Sequence, residues 1–87
     1  MQDVHEKRAL KKFGTNLKKA RAKKYPTQAA FAHVLGMEAP AYRKYERGQS
    51  NPPLETLSRI CTLLEVTYEE LLPPPPKPRA GEITSRA

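Results

Sequence analysis

Tryptophan is missing from this chain of 87 residues, and cysteine occurs once. A single cysteine, Cys61, cannot close an internal disulfide, so the fold must rest on packing, and such cysteine usage fits a reducing compartment. No apolar run approaches the length that crosses a bilayer, and the opening MQDVHEKRALKK is charged throughout, leaving no apolar core for a secretion signal. The expected setting is cytoplasmic, away from membranes. Metal motifs are lacking too, because His5, His33 and Cys61 are scattered along the chain. There is no glycine-rich phosphate loop, no nucleophile elbow and no acid-base pair. A chain this short buries only about 60% of its unfolded surface, which leaves little room for a catalytic cleft. A non-enzymatic single domain without metal or cofactor is expected.

Acidic residues are the last scarcity: 9 against 16 Lys plus Arg, giving a formal net charge of +7 and a pI near 9.8. That balance favours polyanionic partners. Its distribution is more informative than its sum. Between Lys7 and Arg47 twelve basic residues face two acidic ones, Glu38 and Glu46, whereas between Gly48 and Leu72 only Arg59 stands against four glutamates. Charge segregated in this way implies one basic face.

Apolar spacing is helical throughout, and no stretch alternates with period two. Asp3 and Glu6 are spaced to open a first helix along which Leu10, Phe13, Leu17, Ala20 and Lys24 recur, and Pro26 must stop it. Thr27 caps a second, short helix, QAAFAHVL, with Phe31, Ala32 and Leu35 on one face and Gly36 as its stop. A third helix is expected over residues 39–47, with Pro40 in its first turn and Gly48 beyond its end. Pro53 opens a fourth, whose buried stripe is read as Leu54, Leu57, Ile60, Cys61 and Leu64. Thr67 and Glu70 form a capping box for a fifth that carries Leu71 and Leu72. The fold class is therefore all-α, with five helices. Residues 1–12 read as an extension of the first helix, residues 13–72 as the domain, and residues 73–87, PPPPKPRAGEITSRA, as a proline-rich tail expected to be disordered.

Two short helices joined by a tight turn, the second bearing Arg43, Lys44 and Arg47, are an arrangement that can lay a helix in the major groove of DNA. At helical spacing Tyr42 and Tyr45 point inward while Pro40, Arg43, Lys44 and Arg47 cluster outward. The run from Phe13 to Leu72 resembles the lambda repressor and Cro-like helix-turn-helix family, also called the Xre family. The residues that carry the likeness are Gln28, Leu35-Gly36, YERG, NPPLETL and VTYEELL, in that order and spacing.

The resemblance implies a compact five-helix domain that binds double-stranded DNA with helix three in the groove, commonly as a homodimer on a palindromic site. It implies an ion pair between Arg21 and Glu46 that ties helix one to helix three. Thr27 and Gln28, at the start of helix two, match a phosphate-contacting position. Arg47, Gln49, Ser50 and Asn51 match positions that flank the groove and touch the backbone. The chain departs from the family at the start of helix three, EAPA, where Ala39 and Pro40 offer only apolar contact. Hydrogen bonds to bases must then come from Arg43 and Lys44.

Leu63, Tyr68 and Leu72 are candidates for a C-terminal dimer patch. The leading expectation is a small transcriptional repressor, nucleoid-associated or encoded by a phage or plasmid. The alternative is an antitoxin-like or adaptor module that keeps the fold but holds a protein partner.

Overall fold

The computed structural model describes residues 4–75, with side chains from residue 7 onward; the Asp3 cap and most of the proline-rich tail lie outside the described residues. Five helices follow one another: α1 Val4–Lys24, α2 Gln28–Leu35, α3 Ala39–Glu46, α4 Leu54–Leu64 and α5 Tyr68–Leu71. No strand occurs among the described residues.

The helix ends have local chemical causes. Tyr25 donates the last bond of α1 to the Arg21 carbonyl at 2.8 Å, after which Pro26 forces the chain out of helical geometry. Thr27 is extended, and its hydroxyl accepts from the Ala30 amide at 3.0 Å, capping α2. Gly36, at φ +78°, closes α2 in the left-handed conformation that a residue without Cβ adopts at little cost. α3 ends one residue earlier than its sequence suggests, with Arg47 as its C-cap. The capping box of α5 is complete: Thr67 and Glu70 exchange bonds of 3.1 and 3.3 Å.

The core draws on every helix. Phe13 and Leu17 of α1 meet Phe31, Ala32 and Leu35 of α2, Tyr42 and Tyr45 of α3, Leu57, Ile60, Cys61 and Leu64 of α4, and Leu71 of α5. A run of aromatic contacts crosses it: Tyr25 on Phe31 at 5.0 Å, Phe31 edge-on to Tyr42 at 5.4 Å, and Tyr42 edge-on to Tyr45 at 6.1 Å. The Asn16 side chain donates to the Leu71 carbonyl at 3.0 Å, which fastens the last helix to the first.

α1 and α3 approach almost to backbone contact. A Cβ on Gly14 would lie 2.4 Å from the Glu46 carbonyl oxygen and 2.8 Å from that of Tyr45. One turn earlier, a Cβ on Gly48 would lie 2.8 Å from Cα of Lys11, so the loop after α3 is pressed against the basic first half of α1.

Leu54 corrects the sequence reading, because it is 72% exposed rather than part of the buried stripe. It sits in the first turn of α4, where Cβ tilts toward the helix start and away from the core. Pro52 is buried instead, and it lines one hollow with Leu10, Phe13 and Leu57. Leu72 likewise follows α5 in an extended conformation and is 43% exposed.

Candidate nucleic-acid interface

α3 has two chemically opposite sides. Tyr42 and Tyr45 are buried, whereas Pro40, Lys44 and Arg47 are exposed and Ala39 and Arg43 are half-buried at the margin. The first half of α3 therefore presents a small apolar surface, and its later part is cationic.

What fixes α3 in this orientation is a buried polar cluster beneath it. The Arg21 guanidinium grips Glu46 with two bonds, Nε to Oε2 at 2.9 Å and Nη2 to Oε1 at 3.2 Å. Side-chain exposure is 7% for Arg21 and 2% for Glu46. The remaining Arg21 nitrogen, Nη1, donates to the carbonyls of Tyr25 and Pro26 at 3.1 and 3.3 Å. Glu46 also accepts from the Tyr42 hydroxyl at 2.6 Å and from Gln28 Nε2 at 2.8 Å. Gln28 in turn accepts from Arg43 Nε at 3.2 Å, which carries the network to the edge of the basic face.

Burial by itself would raise the Glu46 pKa, but the bonds from Arg21, Tyr42 and Gln28 together outweigh it and hold the carboxyl below its ordinary value. The Arg21 pKa is raised, chiefly by its bond to Glu46. Burial pushes the Tyr42 phenol far above its ordinary value, and the bond to Glu46 adds to the rise. Removing one member of such a pair leaves a buried charge alone, at a cost of about 3–5 kcal/mol.

Thr27, Gln49 and Asn51 are exposed and Ser50 is half-buried. The Gln49 amide donates to the Lys44 carbonyl at 2.9 Å, so the loop continues directly from α3. Lys7, Arg8, Lys11, Lys12, Lys18, Lys19 and Lys23 are exposed along α1. Lys24 is drawn to the opposite end of the domain, 3.3 Å from Glu65.

The C-terminal residues divide. Tyr68 and Leu72 line one hollow with Pro73, Pro74 and Pro75. Leu63 is half-buried against the core and lines no part of that hollow. Leu54 is exposed as well, and it lines no part of that hollow.

Two features escaped the sequence reading. The Tyr42 hydroxyl was placed in the core only as part of an aromatic ring, yet it is a ligand of Glu46. Gly14 had a signal, since a lone glycine within a long helix often marks close backbone approach.

A helix-turn-helix family model matches residues 17–71, which run from the middle of α1 through α5. The chain belongs to the lambda repressor-like helix-turn-helix family. Over 60 residues this helix-turn-helix chain is 43% identical to an uncharacterized HTH-type transcriptional regulator, YqaE, of Bacillus subtilis, covering 69% of the chain and 52% of that protein. It thus spans about half the length of that relative. The restriction-modification controller protein C.AhdI from Aeromonas hydrophila superposes with a TM-score of 0.65 at 32% identity, over 72% of this chain and 96% of that one. Hydroxypropylphosphonic acid epoxidase from S. wedmorenis gives 0.74 at 28% identity, but the match covers 92% of this chain and only 43% of the enzyme. A helix-turn-helix fold can therefore stand alone or form part of an enzyme, and function must be argued from the site.

Proposed function

We propose that this domain is a DNA-binding transcriptional regulator, a small repressor that lays α3 in the major groove and binds a palindromic operator as a dimer. The observation that carries the reading is the two-sidedness of α3: its inner side is held by Tyr42, Tyr45 and Glu46, and its outer side offers Arg43, Lys44 and Arg47. Lys44 and Arg47 are exposed, and Arg43, half-buried, is bonded through its Nε to Gln28. Ala39 and Pro40, at the start of α3, are suited to apolar contact with a thymine methyl. Thr27 and the amides that open α2 suit a phosphate, as do Gln49, Ser50 and Asn51 at the other end of α3. Because Gly48 packs on Lys11, that exposed cation lies beside the loop and extends the surface available to the DNA backbone. The described residues contain no helix long and apolar enough to cross a membrane and no cluster able to hold a metal ion.

The test is selection from random duplex DNA, with Arg43→Ala plus Lys44→Ala as the control. Enrichment of a palindrome that the double variant fails to enrich is the expected result, and no retention of duplex even at low salt would end the reading. A second reading, a module that holds a protein partner, is favoured by one observation, the exposed Leu54, Tyr68 and Leu72. The slope of affinity against salt separates the two, since phosphate binding by several cations weakens steeply with salt and an apolar contact does not.

A further inference from the structure

Gln28 and Arg43 form a pair whose geometry is settled by chemistry rather than by choice. A carboxylate only accepts and a guanidinium only donates, so the Gln28 amide nitrogen must face Glu46 and its oxygen must face Arg43. Both ends of the amide are occupied, at 2.8 and 3.2 Å. Only the second N–H of Nε2 is left for a phosphate. The bond to Arg43 engages its Nε, on the side of the planar guanidinium. Among the described residues no hydrogen bond engages its two terminal nitrogens.

We infer that Gln28 is a positioning residue for base reading: locked by Glu46, it holds the Nε side of Arg43 and aims the terminal fork of that arginine at a guanine. The inference rests on the reading of α3 as the groove helix and adds which side chain reads and what steadies it. Guanine presents O6 and N7 as neighbouring acceptors in the major groove, matched by the two terminal nitrogens of an arginine. A neutral amide is suited to this support, since a carboxylate in its place would offset the cation that DNA attracts. Arg43 is half-buried while Lys44 is exposed and its ammonium makes no hydrogen bond among the described residues, so the two adjacent cations divide into a held reader and a free phosphate contact. The chain of bonds from Arg21 through Glu46 and Gln28 to Arg43 thus ties the reader to the packing of α1 on α3.

Four proteins, wild type, Arg43→Ala, Arg43→Lys and Gln28→Met, would be carried through the same selection on random duplex DNA. Wild type should enrich a guanine at a defined position that Arg43→Ala and Arg43→Lys do not prefer, and replacing that guanine by 7-deazaguanine should weaken wild type alone. Gln28→Met should lower the preference for that guanine about tenfold, with the salt slope unchanged. Enrichment of the same guanine by Arg43→Ala would overturn the assignment of the reader. A Gln28→Met variant that weakens all duplexes equally, with its guanine preference intact, would overturn the positioning role and make Gln28 a phosphate contact. Wild type that enriches no sequence would bring down the regulator reading, and this inference with it. A measurement on free wild type is independent of any variant's folding: the Arg43 Nε proton should exchange with water more slowly than that of exposed Arg47, and equal rates would overturn the clamp.

Discussion

The seam between α1 and α3 and the outer side of α4 and α5 are built on opposite terms. At the seam, charged and polar groups are buried and every partner is present: Glu46 accepts from Arg21, Tyr42 and Gln28, and a glycine lets the two backbones close on each other. On the outer side, apolar groups stand in water, with Leu54 72% exposed and Tyr68 and Leu72 each 43% exposed. The difference separates what holds the domain together from what it has left to offer. Changes at the seam should cost folding free energy, and changes on the outer side should cost association.

Glu46→Ala should have the largest effect. It leaves the Arg21 guanidinium buried without its carboxylate, and a loss of about 3–5 kcal/mol is expected from chemical denaturation. In a domain of ordinary stability that is a large share of the total. Gly14→Ala should follow. Its new Cβ would meet two backbone carbonyl oxygens, which cannot rotate away as a flexible side chain could, so α1 must shift from α3 at a cost of about 1–3 kcal/mol or more. A Gly14→Ala variant as stable as wild type would mean that the seam is looser than its geometry implies.

The pH dependence sharpens the comparison with less perturbation. The Glu46 pKa is lower folded than unfolded, so its contribution is fully present above the unfolded value of about 4.3 and is lost as pH falls through the folded value. Wild type should therefore lose stability on acidification below about pH 4, and Glu46→Gln should remove that part of the slope. The outer side carries no corresponding buried carboxylate among the described residues. Melting curves of both proteins between neutral and acid pH check this directly. Parallel slopes would place the acid sensitivity elsewhere.

Much of the fold was legible because its helix boundaries have local causes: Pro26, Thr27, Gly36, Gly48 and the Thr67–Glu70 box each act on their immediate neighbours. Leu54 was misread because helical spacing assigns a face without saying where the core ends, and the buried stripe of α4 begins only at Leu57. The pairing of Arg21 with Glu46 came from family resemblance and not from spacing, since the two residues stand 25 positions apart. The Tyr42–Glu46 bond of 2.6 Å joins residues four apart within α3, a spacing that was open to view and was passed over. The Gln28–Arg43 bond of 3.2 Å joins residues 15 apart on α2 and α3 and is set by tertiary packing. The candidate patch of Leu63, Tyr68 and Leu72 divides in the structure, since Leu63 packs against the core while Tyr68 and Leu72 are exposed.

The smallest effect on folding is expected where the effect on assembly should be clearest. Leu54→Ser replaces a side chain that stands largely in water and should change stability by no more than about 0.5 kcal/mol, and Leu72→Ser, at a side chain 43% exposed, by about 1 kcal/mol. If this side is where two copies meet, wild type should gain mass with concentration in sedimentation, and the pair of substitutions should abolish that rise. DNA binding by the paired variant should then fall back to that of single half-sites, with the phosphate-dependent salt slope per half-site retained. Leu63→Ser provides the contrast, because its half-buried side chain packs against the core and its loss should lower stability more than it alters assembly. A wild type that stays monomeric at every concentration, on DNA and off it, would assign the exposed leucines to a different partner. The polar seam would be untouched by that outcome, since its bonds lie wholly within one chain.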